Sequence, residues 1–323
     1  MRLLFITATR IGDAVLSTGV LGYLIERYPE ARLSIAAGPL SAPIFSAVPN
    51  LDCLLVLEKR RFGLHWVWLY RQVMTRRWDI VIDLRGSAIA YLLMTGERRV
   101  VAARDDAEHR VVELARAFSL DSPPAPRLWL APEHTARAAL LLPQGGPVLA
   151  LGPAANWRGK EWRAERFVDL ALRLTAANSP LADARIAVLG ATADARQTDI
   201  VLAGLPPTRR IDLVGKTDLL TAAAVLRRAA LFVGNDSGLM HIAAAAGTPT
   251  LGLFGPSPIA RYRPWGSHTA VAQTALTARE LFPPGFDHRT SDTLMDSLSV
   301  EAAERATYSL LERVATCLPQ SEN

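Results

Sequence analysis

Leu231-Phe-Val-Gly-Asn-Asp-Ser-Gly-Leu-Met-His-Ile-Ala-Ala-Ala-Ala-Gly-Thr-Pro-Thr-Leu-Gly-Leu-Phe-Gly-Pro256 decides how this chain folds. Residues 231–233 are a short apolar run, as a buried parallel strand should be. Residues 234–238 form a polar turn bounded by glycines. Residues 239–246 favour helix, and Gly247 with Pro249 ends it. Residues 250–254 read as a second strand, broken by Gly255-Pro256. The turn puts Asp236 or Ser237 at the helix N-cap. Beyond the cap, the first helical N–H groups lack intrahelical partners and carry the positive end of the dipole, so the turn suits a phosphate. His241 projects near the same face one turn later, where its ring can donate to a phosphate oxygen. From spacing alone two readings stand: an anion site, or an ordinary strand-loop-helix turn with a capping Asp and a packed His.

The same alternation runs along the chain. Strands are expected at residues 2–7, 32–36, 52–57 and 78–84, with helices at 14–27 and around 64–76 between them. Pro143-Gln-Gly-Gly-Pro147 is rich in turn formers and reads as a linker. A second series follows, with strands at 148–151, 185–189 and 211–214 and the opening stretch after them. A last helix spans residues 300–318, with Leu310, Leu311 and Val314 inward. Strands alternating with helices imply α/β architecture with doubly wound parallel sheets. The first loop lacks the G-x-G-x-x-G fingerprint of dinucleotide folds, which disfavours a dehydrogenase. It offers Arg10, Gly12 and Asp13 at the carboxyl end of a strand, where ligands of open sheets bind. Gly12 suits a turn or a close backbone approach to a ligand. Asp13 reads either as a general base or as a helix-start carboxylate favoured by the dipole.

The 323 residues are half hydrophobic, enough for two domains with their own cores. Cys53 and Cys317 match no metal spacing, which suits a reduced cytoplasmic protein. The start has no signal-peptide pattern, and no run of about twenty apolar residues spans a membrane. Net charge is +5, and the excess is uneven: residues 1–143 hold 18 Lys and Arg against 14 Asp and Glu. That bias suits an acidic partner such as phosphorylated lipid or a membrane surface, while ordinary solvated charge needs no partner. No motif supports nucleic acid. Residues 59–77 hold six cations and no acidic residue, with aromatics between them. Phe62, Trp66, Leu69 and Val73 fall on one helical face, expected to pack on the sheet. Lys59, Arg60 and Arg61 precede the helix, where anion contact is expected. Arg98, Arg99 and Arg104 extend the basic surface, and the polar region 278–297 carries His288.

Asn235-Asp-Ser-Gly-Leu-Met-His241, the Ala-rich helix, Gly247-Thr-Pro249 and Leu253-Phe-Gly-Pro256 closely resemble the nucleotide-sugar site of the lipopolysaccharide heptosyltransferases, glycosyltransferase family 9. The resemblance covers most of the chain. It includes Arg10-Ile-Gly-Asp13, Asp83-Leu-Arg-Gly-Ser87, the loop ending at Lys160 with Glu161, Trp162 and Phe167 after it, and Gly215-Lys-Thr-Asp-Leu-Leu220. It implies the glycosyltransferase B fold: two Rossmann-like doubly wound domains facing across a cleft. Residues 1–143 would bind the acceptor and 148–298 the nucleotide sugar, while 299–323 would form a helix crossing back to the first domain.

The implied reaction is inverting transfer of heptose from ADP-heptose to a lipopolysaccharide inner-core acceptor. By resemblance Asp13 is the general base, and Arg10, Gly12, Arg85 and Ser87 bind the acceptor together with Arg60 and Arg61. Asp83 caps a turn. Lys160 meets the leaving diphosphate with Asp236, Ser237, Gly238, Leu239 and His241. Asn156, Thr192, Asp194 and Thr217 are candidates for the nucleoside, since a strand-end carboxylate can bind ribose hydroxyls. Thr217 or Asp218 caps the following helix. The family loop often carries small hydroxyl residues where Ala154, Ala155 and Asn156 stand, so some donor contacts differ. No acidic cluster suited to Mg²⁺ adjoins the phosphate loop, so turnover without a metal or other cofactor is expected. Expected partners are the nucleotide-sugar donor, an acidic lipid-linked saccharide acceptor and the cytoplasmic face of the inner membrane, as a peripheral protein. Two other readings are the same fold with a different nucleotide-sugar donor or glycan acceptor, and an inactive binding protein of that fold. Arg10, Asp13, Lys160, Asp236 and His241 occurring together argue against the last.

Overall fold

The computed structural model describes residues 1–101, 106–282, 285–287 and 290–317. Arg104 and His288 lie outside the described residues. The chain divides into two compact units, Met1–Ala131 and Pro132–Asn323.

The first unit runs β1 (Arg2–Ile6), α1 (Ile11–Arg27), β2 (Arg32–Ala37), β3 (Leu51–Val56), α2 (Leu64–Val73), β4 (Trp78–Asp83), α3 (Ile89–Leu92), β5 (Thr95–Val100) and α4 (Arg110–Ala117). All pairings are parallel, in the order β3-β2-β1-β4-β5. The chain winds outward from β1 to β3 and then crosses to β4, so the winding reverses between β1 and β4. Leu69 and Val73 of α2 and Ile89 and Ala90 of α3 pack against Leu4, Ile6 and Val81 of one sheet face. β5 was not legible in the sequence. Its Thr-Gly-Glu-Arg-Arg-Val is polar because an edge strand is covered on fewer sides. Arg98 and Arg99, read as basic surface, are part of it. The Arg98 guanidinium donates to the carbonyls of Ala90 and Leu93, and Arg99 pairs with Glu97 at 2.7 Å.

α1 begins at Ile11, three residues before the expected start, because the Arg10 carbonyl already accepts the N–H of Ala14 at 3.1 Å. Gly12 is therefore helical and does not take positive φ, so its expected turn role is not realised. The segment before Ala131 lies directly on this helix. The N–H of Arg127 donates to Thr18 Oγ1 at 2.9 Å, and a Cβ on Gly19 would sit 2.1 Å from the carbonyl oxygen of Pro124.

The second unit runs α5 (Pro132–Leu141), β6 (Val148–Gly152), α6 (Ala164–Leu174), β7 (Arg185–Val188), α7 (Ala195–Gly204), β8 (Arg210–Asp212), α8 (Leu219–Leu226), β9 (Leu231–Asn235), α9 (Gly238–Ala245), β10 (Thr250–Phe254), α10 (Ile259–Tyr262), β11 (Thr269–Gln273), α11 (Ala278–Leu281) and α12 (Val300–Cys317). Its sheet is parallel throughout, in the order β11-β10-β9-β6-β7-β8. Here the winding reverses between β6 and β9. The Pro143–Pro147 stretch follows α5 inside this unit, and Arg185 donates to the Pro143 carbonyl at 2.9 Å. α12 packs on α6, β10 and β11, with Ala303 and Leu310 in the core of its own unit. Leu311 and Val314 pack at the edge of that core. No described helix is long and apolar enough to cross a membrane.

Gly19→Val should destabilise the protein by about 1–3 kcal/mol, because the new side chain overpacks against backbone that has no rotamer to yield. A lower urea midpoint at an unchanged slope is the expected reading; an unchanged midpoint would mean that the 124–127 segment moves aside freely.

Candidate functional site

Open parallel sheets bind ligands outside the carboxyl ends of their strands where the winding reverses. In the second sheet that point lies between β6 and β9, whose following loops carry Lys160 and Asp236. Lys160 Nζ donates to Asp236 Oδ2 at 2.6 Å, and the two side chains are 19% and 8% exposed. His241 Nε2 lies 3.9 Å from the other carboxylate oxygen of Asp236. One buried carboxylate thus stands between an ammonium and an imidazole.

Ser237 occupies the N-cap of α9, yet its side chain makes no capping hydrogen bond. Its Oγ is buried without a hydrogen-bond partner among the described residues. Asp236 does not cap the helix either, since its carboxylate is turned to Lys160. The first turn of α9, from Gly238 through Leu239, therefore keeps N–H groups that no side chain caps. Uncapped N–H groups at a helix start attract an anion. Ser257, just past β10, holds a second buried hydroxyl without a partner among the described residues.

The loop that carries Lys160 is fixed from both sides. Asn235 Nδ2 donates to the Pro153 carbonyl at 2.6 Å, and the N–H of Trp162 donates to Asn235 Oδ1 at 3.1 Å. The N–H of Leu294 donates to the Gly159 carbonyl at 3.0 Å, and Arg163 grips Asp296 through two hydrogen bonds of 2.5 and 2.6 Å. Asp296 accordingly raises the Arg163 pKa further above its ordinary value. Trp157, earlier in the same loop, meets Phe286 edge-on at 6.0 Å, and Phe286 meets Phe282 at 4.9 Å. This aromatic cluster was not anticipated; Trp157 stood in the quoted loop, but its partners lie over a hundred residues away.

The nucleoside candidates lie farther along the same sheet edge. Thr192 is exposed, and its Oγ1 stands against Gly215. Asp194 Oδ2 accepts the N–H of Ala191 at 2.7 Å, so one of its oxygens is spent on its own turn. Thr217 is half-buried and makes no side-chain hydrogen bond among the described residues; Asp218, not Thr217, caps α8 by accepting the N–H of Thr221 at 2.8 Å. Those contacts hold the Asp218 pKa below its ordinary value, against the opposing effect of burial. Asn156 is exposed on the β6 loop.

In the first sheet the reversal lies between β1 and β4, and it too carries expected residues. Arg10 is exposed at the N-cap of α1, and Asp13 is half-buried in its first turn with no ion-pair partner among the described residues. After β4, Asp83 accepts the N–H groups of Arg85 and Ser87, both at 2.8 Å, and the Ser87 hydroxyl at 2.5 Å. Asp83 thus caps its turn, as expected, and Ser87 Oγ is committed to it. The Arg85 guanidinium lies 4.7 Å from the ring centre of Trp66, a cation–π arrangement. Burial pulls the Arg85 pKa below its ordinary value, while Asp83 acts the other way. Arg60 and Arg61 are exposed in the loop before α2, with Arg60 6.0 Å from the Trp68 ring centre. Burial and the Arg85 charge hold His65 below the usual histidine range.

Phe62 departs from the sequence reading. It precedes α2 in a single 3-10 turn, so it does not continue the helical face of Trp66, Leu69 and Val73, and it is 97% exposed. Among the described residues no group of three or more His, Cys, Asp or Glu side chains is arranged to hold a metal ion.

Residues 84–281, more than half of the chain, match the model of glycosyltransferase family 9 (heptosyltransferase). Lipopolysaccharide heptosyltransferase 2 of Salmonella typhimurium is 25% identical over 298 residues, covering 80% of this chain and 83% of that protein. The structure of a glycosyl transferase family 9 protein from Veillonella parvula superposes with a TM-score of 0.76 at 20% identity, over 96% of this chain and 97% of that one. That of ADP-heptose lipopolysaccharide heptosyltransferase II of Escherichia coli gives 0.72 at 20% identity, over 98% and 100%. The likeness in structure shows the expected glycosyltransferase B fold, with its two parallel-sheet α/β domains.

Because the Lys160–Asp236 pair is mostly buried, losing one partner strands the other's charge. Asp236→Asn and Lys160→Met, singly and together, should give a coupling free energy of about 1–3 kcal/mol in urea unfolding. Purely additive effects would mean that the two charges are solvated independently.

Proposed function

We propose that this chain, which belongs to glycosyltransferase family 9 (heptosyltransferase) and is a glycosyltransferase, transfers heptose from ADP-heptose to the inner core of a lipopolysaccharide with inversion at the anomeric carbon. The observation that carries this reading is the reversal point of the second sheet. There Lys160, His241 and the uncapped start of α9 converge on one loop. A diphosphate needs such a set, because its charge grows on departure and preorganised donors stabilise that growth. The buried, unpartnered hydroxyls of Ser237 and Ser257 support a polar ligand in the second unit.

The acceptor hydroxyl oxygen attacks C1 from the side opposite the diphosphate. Its proton passes to the Asp13 carboxylate. The bond from C1 to the β-phosphate oxygen breaks, and its electron pair leaves with ADP. A single displacement of this kind inverts the configuration. Asp13 is suited to the base role because its carboxylate is engaged by no described neighbour and sits at the reversal point of the first sheet. Arg10 and Arg85 stand at the same reversal point to meet an acidic acceptor, with Arg60 and Arg61 on the loop after β3. Ser87 has the weaker case, since its hydroxyl is held by Asp83. Asn156, Thr192, Asp194 and Thr217 would border the nucleoside from the loops after β6, β7 and β8. Lys160 with its charge, and the His241 ring and the α9 N–H groups as hydrogen-bond donors, would stabilise the leaving group, so turnover is expected to need no divalent metal. The chain is expected to work in the cytoplasm, at the inner face of the membrane.

General-base catalysis contributes about a hundredfold to ten-thousandfold, so Asp13→Asn should lower kcat by about a hundredfold or more. Calorimetry with ADP should show its affinity nearly unchanged. Unaltered turnover would remove Asp13 from the role. Lys160→Ala should weaken ADP binding by about tenfold or more, the weight of a hydrogen bond to a charged group. Wild-type protein that bound UDP in place of ADP would refute the donor assignment, and reversible loss of turnover in EDTA would refute metal independence.

A further inference from the structure

Lys160 and Glu161 are neighbours in the chain, yet they reach to opposite sides of β6. The sheet order places β6 between β9 and β7. Lys160 ends a single 3-10 turn, Arg158–Lys160, and meets Asp236 after β9. Glu161 follows in extended backbone, at φ −83 and ψ 112, and meets α7 after β7. Its Oε2 accepts from the Arg196 guanidinium at 2.6 Å, and its side chain is only 10% exposed. Arg196 is the second residue of α7, and the third, Gln197, donates from Nε2 to the Trp162 carbonyl at 2.6 Å. The peptide that carries Lys160 is thus tied to the first turn of α7, directly after the Thr192–Asp194 turn.

Packing alone does not explain this tie. A cavity of about 110 Å³ lies against the pair, with Arg158, Arg163 and Thr293 also in its wall. With space beside it the turn would be free to shift, so the polar contacts are what fix it. A mostly buried carboxylate is costly unless it is paired. Arg158 does not replace Arg196 in that role. It stands 3.6 Å from Glu161, while its Nε donates to Asp292 at 2.7 Å.

We propose that Glu161 is a positioning residue: it sets the spacing between Lys160 and the start of α7, so that a nucleoside diphosphate engages both at once. This rests on the functional reading above, in which residues 192–194 border the nucleoside and Lys160 meets the diphosphate. A ligand whose two halves reach two sites gains when those sites are held at a fixed spacing, because its second half then binds without ordering the protein. Either half offered alone has no such gain. Glu161 touches neither half, so its effect falls on ADP and not on the fragments of ADP.

Calorimetry of the full chain with ADP, and ligand-observed NMR with adenosine and with pyrophosphate, tests this. Glu161→Gln and Arg196→Met should each weaken ADP binding by about tenfold, the weight of one hydrogen bond between charged groups. The double variant should be no weaker than either single one, because the two act as a pair. Affinities for adenosine and for pyrophosphate should stay within about twofold, since neither spans the two sites. Arg196→Lys keeps the charge and should recover part of the ADP affinity. The Arg196 side chain is 59% exposed, so its variants keep the test decisive even if Glu161→Gln fails to fold. Equal losses for ADP and both fragments would overturn the proposal, because the pair would then merely shape the turn. Unchanged ADP affinity in the variants would also overturn it, with the functional reading untouched. Wild-type protein that bound no adenine nucleotide would refute the functional reading and this inference with it.

Discussion

The wholly buried carboxamide of Asn235 holds the second unit's site together. It ends β9, and its two polar ends join stretches that flank the β6 loop, Pro153 on one side and Trp162 on the other. Neither end has water to turn to, so losing either contact would leave a buried polar group unsatisfied, at about 1–3 kcal/mol. That constraint makes the β6 loop return to β9 at a fixed place, and Lys160 meets Asp236 as a consequence. The residues 292–298 reinforce it from outside through Leu294 and Asp296. On the proposed reading this loop holds an ammonium against departing charge and gains from such fixing, because a preorganised donor needs no rearrangement at the moment of reaction.

Both sheets follow one rule. A parallel sheet that winds outward in both directions from a central strand leaves a gap where the connections diverge, since neighbouring loops go to opposite faces. In the first unit that gap carries Arg10, Asp13 and Arg85; in the second it carries Lys160 and Asp236. The side chains differ as the proposed roles require. The first gap offers a carboxylate with no ion-pair partner among the described residues, together with cations, and the second a carboxylate tied to an ammonium. Sequence order alone would not bring Arg85 near Arg10, seventy-five positions earlier; the crossing from β3 to β4 does so.

Much of this was legible in the chain because central parallel strands are apolar on both faces. β1, β4, β6, β9 and β10 announce themselves as short Val, Ile and Leu runs, and the polar turn after each one marks its carboxyl end. The residues in those turns can accordingly be named as a set from the sequence, and the structure places them at the carboxyl ends of the two sheets. Of the four edge strands, β3 and β8 were legible and β5 and β11 were not. β5 and β11 are covered on fewer sides, so Thr-Gly-Glu-Arg-Arg-Val and Thr-Ala-Val-Ala-Gln lack the apolar run. Phe62 was misjudged for a related reason. Periodicity assigns a face only inside a helix, and one 3-10 turn with positive φ removes the residue from the register. Whether Ser237 caps α9 was beyond sequence as well. Its position fits the N-cap, but its χ1 is set by packing that only the fold supplies. Asp83, by contrast, could be read as a turn cap because its partners lie two and four residues ahead.

The Lys160–Asp236 pair raises a question of balance. On the proposed reading a site for a diphosphate holds a carboxylate against its principal cation, and like charges about 4 Å apart repel by roughly 4 kcal/mol at an effective permittivity of about 20. Asp236 must therefore help the donor in some other way, or it would weaken binding. On the proposed reading it helps in two ways. It aims Lys160 with one oxygen, and its other oxygen, 3.9 Å from His241, remains able to accept from a sugar hydroxyl. A nucleotide sugar brings such hydroxyls beside its phosphates, and an inorganic anion does not. On that reading the carboxylate opposes every phosphate, and a hydrogen bond from a sugar hydroxyl offsets part of the loss, so the site would favour a glycosylated diphosphate over a simple anion.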